Sequence, residues 1–465
     1  MGIQGVALRL LGLGGTVVLA RLLVPRDFGL VALGMTLLTL GSFIANAEIG
    51  AALIRRSRTP ERADLAAFLA LQLTLTLAIA GATTSVAWIF GETGWLIAMM
   101  VASLPLTALR TPGAILLERR LLYHPLAVAG VAETLVYFTW AIATVTAGWG
   151  VWGLASATVL RAATGTALIT WLGPVGLLRP RISWTRVRDL LGFGLRFQAA
   201  GLGYLVREQG INMATAAIAG LSVLGLWGLA GRVMGVPFLL FESLWRVSYP
   251  AMSRLLATGE DPRPIIERAV ALASIATGIL LVALVGAGPA LIPSVFGEKW
   301  QAAAWVIPWA SLGLIISGPV SVASAGYLYA VGDASTVLRS VVLNGLAFAL
   351  VGLPLLPVLG VSALGLGWLA SALVEAAVLG RAVSTGAKAR IAGALAMPTA
   401  AATGAGAAGW LVASAVGENL LSAALGAVLA EALYLVSLLA LRRELFTETV
   451  ILTGRAFRGS LAWAR

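Results

Sequence analysis

Arg161, Arg207 and Arg232 are the side chains best placed to do chemistry, because each falls inside a long apolar run. A charge near a bilayer centre costs at least about 2.5–3.5 kcal/mol, so it must face a partner or a water-filled cavity. A guanidinium presents five N–H donors in a planar fork that matches phosphate, so several converging on one cleft favour an anionic ligand. Arg196 precedes Arg207 by eleven residues, three helical turns, and shares its face. We read these four arginines as a candidate anion cleft. Glu208 and Asn212 follow Arg207; Asn46 and Glu48 close the second apolar run, and Glu133 lies in the fifth. These five are read as ion-coupling or cleft-polar groups.

Each has a competing structural reading. Buried arginines also form salt bridges between helices. Glu242 and Arg246 are four apart with the acid first, the favourable order for an intrahelical pair. Glu48 and Arg246 fit snorkelling to an interface. Glu431, late in the chain, fits a packing or lipid-facing role, and Glu375 lies in the twelfth run.

Other chemistries lack their parts. There is no cysteine, so no thiolate nucleophile or disulfide, and one histidine, His124, builds no histidine metal site. All five aspartates (Asp27, Asp64, Asp189, Asp261, Asp333) fall in loops or at helix ends, with no Asp-x-Asp pair and no Gly-x-x-x-x-Gly-Lys phosphate loop. No cofactor is expected, and the chain reads as a non-enzyme.

These residues are carried by apolar helices. The 465 residues are 59% hydrophobic and 11% charged, with mean hydropathy +0.95, against about 25% charged in soluble domains. Fourteen spans are predicted, at 3–24, 28–54, 64–90, 94–117, 125–147, 150–173, 191–219, 222–248, 265–291, 301–330, 336–356, 360–383, 391–414 and 420–441. The first is read as a span, since no Ala-x-Ala cleavage site follows it. Positive charge collects in alternate loops, at Arg55, Arg56, Arg58 and Arg62, at Arg119 and Arg120, at Arg179, Arg181, Arg186 and Arg188, at Arg254 and Arg263, at Lys388 and Arg390, and at Arg442 and Arg443. This puts both termini in the cytoplasm. The net charge of +12 is explained by that bias, so no nucleic acid is expected as a partner. Trp88, Trp95, Trp149, Trp152, Trp300 and Trp305 at one side, and Trp171, Trp184 and Trp245 at the other, read as interfacial belts. Ser183 to Leu191 reads as a short interfacial helix capped by Ser183.

The chain also repeats. An offset of 196 carries Ala20 to Ala216, Gly29 to Gly225, Leu30 to Leu226, Leu33 to Leu229, Ser57 to Ser253 and Arg58 to Arg254. Six helices separate equivalent positions, so the repeat is parallel, with its pseudo-twofold axis along the membrane normal. The expected organisation is an N-terminal six-helix lobe at 1–173, a basic linker at 174–190, a second six-helix lobe at 191–384, a two-helix hairpin at 385–441 and a basic tail at 442–465.

The hairpin from Leu19 to Leu33, then Ile49 to Arg56, resembles the opening of bacterial polysaccharide flippases. So do Gly148-Trp149-Gly150-Val151-Trp152-Gly153-Leu154 and Leu224-Gly225-Leu226-Trp227, followed by Arg232, Pro237 and Tyr249-Pro250-Ala251-Met252-Ser253-Arg254. These are Wzx-like oligosaccharide flippases, the polysaccharide transporters of the multidrug/oligosaccharidyl-lipid/polysaccharide exporter superfamily. The resemblance covers nearly the whole chain and is strongest over helices one to eight. It implies two six-helix lobes around a central cleft. It also implies alternating-access flipping of undecaprenyl-diphosphate-linked oligosaccharides in the bacterial inner membrane, coupled to H+ or Na+, beside polymerase and export machinery. Relatives often carry an acid in helix seven near Ile211-Asn212; this chain has none there, and Glu208, one turn earlier, is the substitute.

Two further readings are weighed. A cation-coupled drug exporter of the same superfamily calls for acidic and aromatic residues in the cleft. A membrane polymerase or acyltransferase calls for a large catalytic outer loop, and the outer turns here are short.

Overall fold

The structure, a computed structural model, describes residues 2–46, 49–55 and 59–441. Within helices, the side chains of 2–10, 189–201 and several scattered positions fall outside that description. Glu48 lies outside the described residues, as do the side chains of Arg196, Glu242 and Arg246.

Fifteen α-helices and no strand are found among the described residues. They are α1 (Gly2–Leu22), α2 (Pro25–Asn46), α3 (Ile49–Arg55), α4 (Arg62–Val86), α5 (Gly91–Val101), α6 (Ser103–Arg119), α7 (Tyr123–Thr144), α8 (Val151–Leu172), α9 (Trp184–Ala257), α10 (Arg263–Phe296), α11 (Val306–Ala330), α12 (Ala334–Leu359), α13 (Val361–Gly386), α14 (Ile391–Val416) and α15 (Leu420–Leu441). Every predicted span has a helical counterpart. Ten stretches are long and apolar enough to cross a membrane, one of them the 58-residue run Arg62–Arg119 that holds α4 to α6.

The differences have local causes. The fourth predicted span divides into α5 and α6 at Ala102, while in the second, residues 47 and 48 lie outside the described residues between α2 and α3. The predicted interfacial helix is not separate: it forms the first turns of α9, because nothing between Trp184 and Ala219 breaks the helix. Ser183 precedes it, its carbonyl accepting from the Val187 N–H and its hydroxyl lying 3.3 Å from that of Thr185. Spans seven and eight run on as α9 and turn at Gly220, whose φ of +84° is one that glycine adopts without strain. Trp300 is fully buried, not interfacial: a 3-10 segment, Glu298–Trp305, packs it against α10.

Helix ends are set by the sequence. Pro25 opens α2, where its missing N–H costs nothing, and Asp27 accepts from the Val24 N–H at 3.1 Å. Glu61 and Asp64 form a capping box at the start of α4. Arg119 donates to the carbonyls of Leu53 and Ile54 at 3.0 and 2.9 Å, satisfying the end of α3. Arg186 pairs with both Glu61 and Asp64, and the Arg181 N–H donates to the Ala66 carbonyl, so the first turn of α9 and the segment before it are fastened to α4.

The chain forms two compact units, Met1–Gly228 and Leu229–Arg465. In lipid, little hydrophobic force draws helices together, so close approach depends on small residues. In the second unit, α10, α14 and α15 meet backbone to backbone at Gly286, Gly409 and Gly426. In the first unit, the turn between α1 and α2 meets the turn at Gly220. A Cβ on Gly29 would collide with the carbonyl of Leu221, and one on Gly225 with the carbonyl of Pro25. Both pairs obey the 196-residue offset, 29 to 225 and 25 to 221, so the contact is reciprocal, as a twofold relation between hairpins requires.

Candidate functional site

A cavity of about 550 Å³ lies within the first unit, lined from α2, α4, α6, α7, α8 and α9. Among the described residues, its charged lining residues are Arg110, Glu133 and Arg161. Arg110 comes from α6, Glu133 from α7 and Arg161 from α8, three helices that pack together. Glu133 is buried, and its two oxygens serve different cations. Oε1 takes a close ion pair from Arg110 Nη1, and Oε2 accepts from Arg161 Nε at 3.4 Å. The Arg161 side chain is 46% exposed, against 8% for Glu133. One carboxylate between two guanidinia leaves the cluster with a net charge of +1.

Gly165 on α8 makes room for the pair. A Cβ there would overlap both Glu133 Oε1 and Arg110 Nη1. The backbone of α8 therefore packs directly against the Arg110–Glu133 bond and holds it at one end of the cavity.

The cavity also has a neutral polar side. Gln72 on α4 donates from Nε2 to Asn46 Oδ1 at 2.5 Å, and Asn46 Nδ2 donates to Ser42 Oγ at 3.3 Å. Ser42, Asn46, Gln72, Thr39, Thr107 and Thr111 all line it. The buried Oε1 of Gln72 has no hydrogen-bond partner. Hydroxyls, amides and guanidinia on one wall suit a ligand that is anionic at one end and hydroxyl-rich at the other.

The other sequence candidates fall elsewhere. Arg207 pairs with neighbouring Glu208 at 3.5 Å, while its Nε is buried without a hydrogen-bond partner. Asn212 donates to Thr36 Oγ1 at 3.3 Å, tying α9 to α2. Arg232 is exposed on α9 in the second unit and is not a free charge. In that unit Asn344 on α12 is buried and donates to Glu375 on α13 at 2.9 Å.

Sequence reasoning passed over Arg110 and Gln72. Arg110 was open to the rule that selected Arg161, since it is an ionisable residue well inside a predicted span. Gln72 carries no charge, so that rule does not reach it.

Ten stretches long and apolar enough to cross a membrane, with a polar cavity within the first unit, mark a multi-pass membrane protein. Residues 18–305 match the model of the polysaccharide biosynthesis protein family, and the chain belongs to that family. No curated protein matches it. Among solved structures, the fold is similar to that of the lipid II flippase MurJ in an inward closed conformation, with TM-score 0.74, 13% identity, and 96% of this chain and 99% of that chain covered. It is also similar to an inward-facing multidrug resistance MATE family transporter of the MOP superfamily, with TM-score 0.60, 15% identity, and 83% and 99% covered. The fold is thus shared with flippases and transporters.

Proposed function

We propose that this protein flips undecaprenyl-diphosphate-linked oligosaccharides, precursors of surface polysaccharide, across the bacterial inner membrane. The observation that carries the reading is the Arg110–Glu133–Arg161 cluster, two guanidinia around one carboxylate in a cavity of about 550 Å³. A net positive cavity inside a membrane unit is costly without an anion to meet, and a diphosphate supplies one that arginine binds bidentately. The hydroxyl and amide wall at Ser42, Asn46 and Gln72 is suited to the first sugar.

Transport proceeds by alternating access of two lobes, 1–173 and 191–384, with 385–441 as an added hairpin. The reciprocal Gly29–Leu221 and Gly225–Pro25 contacts serve as the closed gate on the outer side. Both termini lie in the cytoplasm, on the side where Arg119, Arg181 and Arg186 collect. An H+ or Na+ gradient drives the cycle, with Glu208 and Asn212 near the moving hairpin. Polymerase and export machinery receive the product.

The lining counts against a cationic drug. The cavity's carboxylate is already engaged by two arginines, and among the described residues Phe43 is its one aromatic lining residue. Arg161→Ala in the native host tests the reading. Surface polysaccharide should fall at least about tenfold while the protein still inserts at wild-type level. Undiminished export would remove Arg161 from the site.

A further inference from the structure

We propose that Glu133 is a resident competitor of the substrate: it occupies Arg161 when the cavity is empty, yields that guanidinium to an entering diphosphate, and retakes it to drive release. The proposal rests on the reading of this cavity as a diphosphate site.

The asymmetry of the cluster carries the argument. Glu133 is held from two sides, but not equally. Arg110 pairs with Oε1 beside the α8 backbone at Gly165, from a side chain 29% exposed, against 46% for Arg161. The bond to Arg161 runs through Nε alone at 3.4 Å, near the outer limit of a hydrogen bond. That contact uses none of the terminal nitrogens of Arg161, whose side chain is 46% exposed and lines the cavity. One half of the carboxylate is therefore the more enclosed and the other the more exchangeable. Arg110 and Arg161 are the charged groups that line the cavity with it.

Charge sets the consequence. Two guanidinia with no carboxylate would carry +2 against a diphosphate and release it slowly. A carrier needs binding strong enough to load and weak enough to leave, and related sites differ mostly in off-rate. Glu133 lowers the net charge to +1 and supplies an anion that competes for Arg161 at every cycle. Glu133 is thus a positioning and affinity-setting residue rather than a group that binds substrate.

The test uses the full-length protein in detergent, titrated calorimetrically with inorganic pyrophosphate and, separately, with undecaprenyl diphosphate; the second arm separates a lipid headgroup from free pyrophosphate. Glu133→Gln keeps the shape and removes the competing charge. It should bind pyrophosphate about tenfold more tightly than wild type, yet flip labelled lipid-linked sugar more slowly in proteoliposomes. Glu133→Asp, one methylene shorter, keeps the charge but draws back from Arg161, and should bind with intermediate affinity. Melting curves identify which variants are folded. A purely structural Glu133 lowers the melting temperature without tightening binding. Any folded variant that binds pyrophosphate no more tightly than wild type overturns the proposal. A wild-type protein that binds neither ligand removes the diphosphate reading itself, and this proposal with it.

Discussion

Gly29 and Gly225 each present a bare Cα to the backbone carbonyl of the other's hairpin, Gly29 to Leu221 and Gly225 to Pro25. The two contacts fall at positions related by the offset of 196. Backbone atoms cannot move aside as a flexible side chain does, so any larger residue at either glycine must separate the turns.

That separation is measurable because the chain has no native cysteine. A single Leu221→Cys reports access to the turn by a membrane-impermeant thiol reagent in nanodiscs. Adding Gly29→Leu should speed labelling at least about tenfold, which corresponds to a shift of about 1.4 kcal/mol in the closed contact. Gly225→Leu, read through Pro25→Cys, should do the same. Unchanged labelling in both would show that the turns do not gate access.

Gly165 and Gly130 make a matched pair on adjacent helices. A Cβ on Gly165 meets the Arg110–Glu133 bond, whereas one on Gly130 meets nothing within 4 Å. Gly165→Ala must shift the ends of these two flexible side chains and loosen their pairing, so it should cost about 1 kcal/mol, the low end for overpacking. Gly130→Ala should be neutral or stabilising by up to about 1 kcal/mol, from helix propensity. Equal melting temperatures for the two variants would count against the packed ion pair.

Arg110 and Arg161 should separate stability from transport. Arg110 holds the close bond to a carboxylate only 8% exposed. Removing one partner of a buried pair costs up to about 3–5 kcal/mol, and Arg161 remains to offset part of it, so Arg110→Ala should cost about 2–3 kcal/mol. Arg161 is half exposed and more weakly bonded, so Arg161→Ala should cost under about 1 kcal/mol yet abolish flipping. The reverse ranking in thermal unfolding would contradict the assignment.

Much of the fold was legible because a bilayer imposes a strict rule. Backbone polar groups must be satisfied within each span, so apolar length predicts helices, and basic loops mark their ends. A helix stands at each of the fourteen predicted spans, and ten stretches among the described residues are long and apolar enough to cross a membrane. What escaped was decided by local packing: the division at Ala102, the running of residues 184–190 into α9, and the burial of Trp300, whose indole reads equally as core or interface. The site was partly legible. Arg161, Glu133 and Asn46 stand out as polar residues in apolar runs, and all three line the cavity. Arg110 was open to the same rule, whereas its pairing with Glu133 and the part played by uncharged Gln72 depend on which helices are neighbours, and the sequence alone does not carry that. Gly165 shows the limit most clearly: among 54 glycines nothing in its own sequence context marks it.

Outside the membrane, Asp333 gives a pH signature. Its carboxylate accepts from the Thr336 hydroxyl, the Ser335 hydroxyl and the Thr336 N–H at the start of α12, which holds its pKa below the ordinary aspartate value. The folded group therefore binds its proton less readily than the unfolded one. Its contribution is full above about pH 4, the unfolded value, and is lost as pH falls through the lower folded value. Wild type should melt above Asp333→Ala at pH 6, and the gap should narrow toward pH 3. A gap constant over that range would show that the carboxylate's charge is not what caps the helix.

The central claim is that the cavity around Arg110, Glu133 and Arg161 recognises the diphosphate of a polyprenyl-linked sugar. Equilibrium binding to the protein in nanodiscs, comparing undecaprenyl diphosphate, undecaprenol and a cationic dye, tests it most directly. Undecaprenyl diphosphate should bind at least about tenfold more tightly than the alcohol or the dye, and Arg161→Ala should erase that preference. Equal binding of diphosphate and alcohol, or preference for the dye, would contradict it.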